Sequence, residues 1–466
     1  MTADRPRNLG ELRASGYRVL PVKEEMRRNL IRRIRAGEEL FPGIIGFEES
    51  VIPQIENAVL SGQDIIFLGE RGQAKSRLIR SLVNLLDEAV PAVAGCEIHD
   101  NPYDPICRAC RDRLAEQGED LEITWLTPDQ RYGEKLATPD ITIADLIGEV
   151  DPIKVAEGRY LSDELTIHYG LIPRSNRGIF SLNELPDLAE RIQVGLLNIM
   201  EERDIQIRGY RVSLPLDICV VASANPEDYT NRGRIITPLK DRYGAQIRTH
   251  YPRKVEHEIR IMEQEMYQFR DEDFEVIVPP YMKEIVAEIT RLARRSPDVN
   301  QRSGVSVRAS ITDYESLLAN AMRRALRLGE REIVPRISDL PYVMPAFSGK
   351  VEFETVEDGR EQQILSKLIQ GAVLNVFSRH FNVADLEGIV APFKEGISVE
   401  VSDTMSSPDY LPLLQKVVGL ERAVARLKVG EKPASIASAV EFILEGLHLN
   451  KRLNKDEVLG RAQYRG

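Results

Sequence analysis

The segment Gly69-Glu70-Arg71-Gly72-Gln73-Ala74-Lys75-Ser76 constrains this chain more than any other. It follows the apolar run DIIFL (64–68) and precedes LIRSLVNLLDEA (78–89), so a short strand, a glycine-bearing loop and a helix are expected in that order. Glycine allows a turn tight enough for backbone N–H groups to converge, and Lys-Ser at the helix start adds a cation and a hydroxyl. Such a loop suits phosphate: its backbone lines the anion, Lys75 reaches the β- and γ-phosphates, and the Ser76 hydroxyl takes Mg²⁺. Ala74 stands where the commonest form of the motif has glycine, a departure that a small side chain tolerates.

A strand feeding such a loop belongs to a parallel sheet flanked by helices, and alternating strand-like and helix-like segments do fill residues 41–252. GIFSL (178–182) and ICVVASA (218–224) are apolar enough to be buried on both faces. The first ends in Asn183-Glu184 and the second in Asn225. Glu184 is the candidate general base, and Asn225 could orient a water beside it. Asn183 keeps a carbonyl acceptor for a metal-bound water but has no negative charge, so slow hydrolysis is expected, and Asn183→Asp is expected to accelerate it. Arg242 lies in NRGRIITPLKDRYG, a loop-like stretch; it is either a surface ion-pair arginine or one that reaches a neighbouring subunit.

Outside this core, residues 1–40 read as a helical segment. Its basic run EEMRRNLIRRIR has Met26, Leu30, Ile31 and Ile34 at helical spacing, which favours a solvated amphipathic helix over a nucleic-acid contact. Residues 253–346 have the long periods of a helical lid, and 347–466 open with a strand-like KVEFETV and continue as helices. With 62 Lys and Arg against 73 Asp and Glu, the net charge of −11 gives no general attraction to nucleic acid or an anionic membrane. No apolar run reaches the roughly 20 residues that span a bilayer, and the first residues have no signal-like apolar core, so a cytoplasmic protein is expected.

Four cysteines are too few for a disulfide framework. Three of them cluster with a histidine as Cys96-x2-His99-x7-Cys107-x2-Cys110, a set suited to a closed structural Zn²⁺ site; the alternative is three reduced surface thiols. Cys219, inside an apolar strand, reads as a core residue.

Taken together, Gly69 to Ser76, Asn183-Glu184, Asn225, Arg242 and Arg308 in SVRAS resemble Walker A, Walker B, sensor 1, the arginine finger and sensor 2 of AAA+ proteins. Asp145-Leu-Ile-Gly148 to Glu157-Gly-Arg, followed by Tyr169-Gly-Leu-Ile-Pro-Arg174-Ser-Asn-Arg177-Gly178, resembles the helix-2 insert of the magnesium-chelatase I-subunit and MoxR clade. DIQIRGYRVSLPLDICV resembles its hairpin before sensor 1. The resemblance implies an α/β fold: an AAA+ P-loop core with a parallel sheet, carrying an insertion near 96–117 and the helix-2 insert near 145–177, then an α-helical lid and a mostly helical C-terminal segment. It also implies ATP and Mg²⁺, adenine lined by Ile45 of Gly43-Ile-Ile45-Gly46, and a homo-oligomeric ring, usually hexameric. In that ring Arg242 would act in trans, and Arg308 would sense the γ-phosphate. A partner bearing a von Willebrand A domain would be a separate polypeptide, because this chain has no Asp-x-Ser-x-Ser motif.

The expected function is that of a MoxR-like chaperone or remodelling ATPase acting on a protein complex. The motor subunit of a magnesium or other metal chelatase is one alternative, and a nucleotide-dependent scaffold with weak turnover, motivated by Asn183, is another. Enhancer-binding activators are disfavoured because no GAFTGA sequence is present, and a replicative helicase is disfavoured by the acidic charge.

Overall fold

A computed structural model describes residues 5–151, 153, 156, 164–202, 205–207, 210–212, 214–225, 233–267, 273–301, 303–354, 359–458 and 461–466. They form two compact units, 1–250 and 251–466.

The first unit is built on five parallel strands: β1 (Ile65–Leu68), β2 (Tyr132–Leu136), β3 (Gly178–Asn183), β4 (Ile218–Ala224) and β5 (Ala245–Arg248), in the order β5-β1-β4-β3-β2. Every residue of β1, β3 and β4 is buried, which explains their uninterrupted apolar runs. Side chains alternate between faces. Ile65, Phe67, Ile179 and Val221 enter one core with Met26 and Leu30, while Ile66, Leu68, Phe180, Leu182 and Val220 enter a second core on the other side. Cys219 is buried in the first of these.

Register decides what meets at the carboxyl edge. Leu68 pairs with Ala224 and Leu136 with Asn183, so the residues following β1, β3 and β4 emerge side by side, the edge where open parallel sheets bind ligands.

The basic run forms α1 (Val22–Ala36). It is tied into this unit by a buried ion pair in which both Arg131 amino groups donate to Glu25, at 2.6 and 2.8 Å. The helix after the loop, α2 (Lys75–Ser81), is shorter than its sequence suggests: it tightens into a 3-10 turn over Leu82–Leu85, and a strand starts at Val90. α1 is the physical reason. Its Asn29 amide donates to Leu85 O at 2.9 Å, and its Glu25 carboxylate accepts from Asp87 N at 2.6 Å, capturing backbone groups that a longer helix would need.

Two small antiparallel pairs lie within the stretches read as inserts, Gly148–Val150 with Ile167–Tyr169 and Ile205–Ile207 with Tyr210–Val212. Residues 157–159, part of the helix-2 motif, lie outside the described residues.

In the second unit α6 (Pro280–Ala293), α7 (Val307–Leu328), α8 (Arg360–His380) and α9 (Pro433–Leu449) share one core containing Ile285, Leu317, Val373 and Phe442. The segments expected as a separate lid (253–346) and extension (347–466) therefore pack around a common interior. KVEFETV is not a strand over its described residues: Phe353 makes a single bridge to Val299. In the first unit α3 (Arg108–Gln117) follows the cysteine segment, α4 (Glu190–Glu202) follows β3 along the chain, and α5 (Thr237–Arg242) follows β4. Among the described residues no helix is long and apolar enough to cross a membrane.

Candidate nucleotide site

The loop after β1 is fixed by close approach. A Cβ on Gly69 would stand 1.9 Å from Thr249 Oγ1 and 2.4 Å from Gln73 Oε1, so only glycine fits. Gln73, itself buried, closes the loop: its Oε1 accepts from Glu70 N at 3.2 Å and from the Thr249 hydroxyl at 2.8 Å. Thr249 follows β5 and carries no local sequence signal; only the sheet order brings it here. Gly72 has φ 75 and Ala74 φ 56, so the alanine occupies a left-handed position that explains why glycine is common there. Lys75 is buried, and its ammonium donates to the carbonyls of Gly69 and Glu70, the latter at 2.9 Å, across the loop mouth. Ser76 is exposed on the first helical turn.

The end of β3 meets the same edge. Glu184 has left-handed backbone (φ 54, ψ 48), rare for a residue with a side chain, and its N–H donates to Ser223 Oγ at 3.2 Å. Asn225 is buried just beyond β4. Asn183 is also buried: its amide donates to Glu134 Oε1 at 2.6 Å, and its Oδ1 accepts from Ser223 at 3.3 Å.

Glu134 is a residue that the sequence reading missed. It lies on β2, level with Ser181, and takes a two-point ion pair from Arg80 at 3.0 and 3.1 Å. Arg80 is four residues after Ser76 on α2, hence on the same helix face. Burial alone would raise the Glu134 carboxyl, but the hydrogen bonds and charge of Arg80, joined by the Asn183 amide, hold it below the usual carboxylate range. The site thus contains a carboxylate next to Asn183, on the neighbouring strand. In Asn183→Asp the new carboxylate would face Glu134 in place of a donor, a repulsion that the expectation of faster turnover did not include.

Other expected residues are less convergent. Arg242 is the last residue of α5, not part of a loop, and its exposed side chain is ion-paired with Glu201 of α4. Arg308 belongs to the second unit, where its backbone N–H donates to the helix-capping Ser306 hydroxyl at 3.1 Å and its side chain is exposed. Ile45 is half-buried between Gly43 and Gly46, both with positive φ. Residues 226–232, between Asn225 and Arg242, lie outside the described residues.

Away from the loop, Cys96, Cys107 and Cys110 do come together, but with Asp100 rather than His99. One ligand atom from each of these four lies within 4.8 Å of all the others. His99 has φ 56, and the turn it makes carries the next residue's carboxylate into the group. The assignment of His99 as the fourth member is therefore corrected to Asp100, whose carboxyl is pushed up to about 6 by burial and then by Cys96.

A family model described as Sigma-54 interaction domain matches residues 157–239, a span containing Asn183-Glu184 and Asn225. The magnesium-chelatase subunit ChlI of Glycine max is 28% identical over 232 residues, covering 48% of this chain and 51% of its own. The ChlI-2 subunit of Arabidopsis thaliana is 25% identical over 231 residues, with the same coverage of 48% and 51%. The chain thus spans about half the length of the curated relatives it matches. A solved model of the complex between subunits BchI and BchD of magnesium chelatase aligns with 70% of this chain and 98% of that chain, at 19% identity and a TM-score of 0.36. With the phosphate loop and the β5-β1-β4-β3-β2 sheet in place, the chain resembles the magnesium-chelatase I-subunits of the AAA+ family over about half of its length.

Proposed function

We propose that the first unit binds Mg·ATP at the carboxyl edge of the sheet and hydrolyses it to ADP and phosphate, in a homo-oligomeric ring, hexameric by the clade's habit, that remodels another protein complex. The observation that carries this reading is the convergence of Lys75, Ser76, Glu184 and Asn225 at the ends of three adjacent strands. Backbone N–H groups and Lys75 would hold the phosphates, and Ser76 and Asn183 would hold Mg²⁺, which when bound neutralises phosphate charge. Glu184 takes the proton of the attacking water, and Asn225 orients that water. Arg242 serves the neighbouring subunit's site. Its exposed pair with Glu201 is worth at most about 1 kcal/mol, so releasing the guanidinium costs little. Arg308 is the proposed γ-phosphate sensor. A structural Zn²⁺ in the cysteine cluster completes the cofactors. A separate von Willebrand A domain protein is the proposed partner, and the cytoplasm the proposed location.

The likeness to ChlI subunits favours a second reading, the motor of a metal chelatase. The scaffold reading loses its motive, because Glu134 supplies beside Asn183 the negative charge that Asn183 lacks. Glu134→Gln is expected to shrink the Mg²⁺-dependent gain in ATP affinity about tenfold, roughly 1.4 kcal/mol. Asn183→Asp alone sets two carboxylates against each other and is expected to lower metal-free stability by about 1–3 kcal/mol. The double variant, with the carboxylate moved to β3, is expected to recover the Mg²⁺ effect. Titration of a fluorescent ATP analogue with and without Mg²⁺ reads all three. An unchanged Mg²⁺ effect in Glu134→Gln would remove Glu134 from the site.

A further inference from the structure

We propose that Cys96, Asp100, Cys107 and Cys110 bind one Zn²⁺ as a closed structural site, with Asp100 and not His99 as the fourth ligand. Three thiolates and a carboxylate are all established zinc donors, and a fully protein-ligated tetrahedron is the form that structural sites take. A Zn–S length of about 2.3 Å sets the edge of such a tetrahedron near 3.8 Å. The four ligand atoms already lie within 4.8 Å of one another, so small side-chain rotations suffice. All four cysteines of the chain are free, so no disulfide competes for these sulfurs.

Two further observations point to an ion. First, backbone donors are aimed at two of the sulfurs: Asp100 N donates to Cys96 Sγ and Cys110 N to Cys107 Sγ, each at 3.4 Å. N–H groups of this kind support thiolates that a metal holds and orient them towards it. Second, Asp100 is fully buried, and its two oxygens are unequal. Oδ2 accepts from Cys107 N at 3.0 Å, whereas Oδ1 is buried with no hydrogen-bond partner. A buried carboxylate oxygen left bare is costly, and coordination to Zn²⁺ would satisfy it.

The surroundings say what the ion would do. Cys107 caps α3, and the next residue's N–H donates to Glu164 at 2.7 Å, beside the strand that closes the helix-2 hairpin. On the other side the Ile98 carbonyl accepts from the Asn176 amide at 3.0 Å, two residues before β3 begins. The metal would therefore join the cysteine insertion, the helix-2 insert and the start of the Asn183-Glu184 strand into one body. It would take no part in chemistry, since four protein ligands leave no open position.

The test uses the full chain purified without chelators. Elemental analysis should find about one Zn²⁺ per chain, and Co²⁺ exchanged into it should give the visible bands of a tetrahedral thiolate site. X-ray absorption of the wild-type protein should show three sulfurs and one oxygen, with no outer-shell scattering from an imidazole. His99→Ala should keep the metal. Asp100→Asn should lose it or bind it at least tenfold more weakly, and Cys107→Ser with Cys110→Ser should release it while ATP binding stays measurable. Protein that carries no Zn²⁺ and takes up none when reduced and supplied with it would overturn the site. Imidazole scattering, or metal loss in His99→Ala but not in Asp100→Asn, would overturn the Asp100 assignment.

Discussion

Glu184→Gln is expected to slow ATP hydrolysis by roughly 10²–10⁴-fold while leaving ATP affinity within a few-fold of wild type. Glutamine matches glutamate in shape and keeps an acceptor oxygen, so the loop and the Ser223 contact to the Glu184 N–H remain. What disappears is the group able to take a proton from water as the γ-phosphate is attacked. The strained φ of 54 at Glu184 bears on the same point: the backbone is held in an uncommon conformation that projects this side chain at the strand end. Binding and single-turnover measurements separate the two effects, and undiminished hydrolysis in Glu184→Gln would assign the base elsewhere.

Lys75→Ala is expected to weaken ATP binding about a hundredfold or more. A hydrogen bond to a charged group contributes about 1.5–3 kcal/mol, and the ammonium would make more than one such bond to the phosphates. Lys75 also satisfies the carbonyls of Gly69 and Glu70, so its loss loosens the loop as well. Equilibrium titration reads the affinity, and thermal denaturation distinguishes a lost contact from a lost fold. Wild-type affinity in a folded Lys75→Ala chain would mean that nucleotide binds away from this loop.

How much of this was legible beforehand follows from where each feature is determined. β1, β3 and β4 are buried on both faces, so their apolar runs mark them without reference to anything distant. The phosphate loop is equally local, because its glycines, lysine and serine act within one turn of chain. The shortened α2 is not: Glu25 and Asn29, more than fifty residues earlier, capture the backbone that would have continued it. Glu134 and Thr249 are invisible for the same reason, since their roles exist only once β2 and β5 take their places in the sheet. The six residues of α5 are too few to show a period, which is why Arg242 reads as part of a loop. At the cysteine cluster the spacing pattern selected His99, the residue type expected beside cysteine, but the positive φ of that residue turned Asp100 inward instead.

The most direct measurement is steady-state phosphate release from Mg·ATP by the full chain over a wide range of protein concentrations, with Arg242→Ala beside wild type. Completing each site with a neighbour's arginine predicts Mg²⁺-dependent release whose rate per subunit rises with concentration as rings assemble. It also predicts an Arg242→Ala chain at least roughly tenfold slower at concentrations where rings form, converging with wild type on dilution, with little change in ATP affinity. Release that is absent at all concentrations, or a rate per subunit that is constant and insensitive to Arg242, would contradict a ring-assembled ATPase.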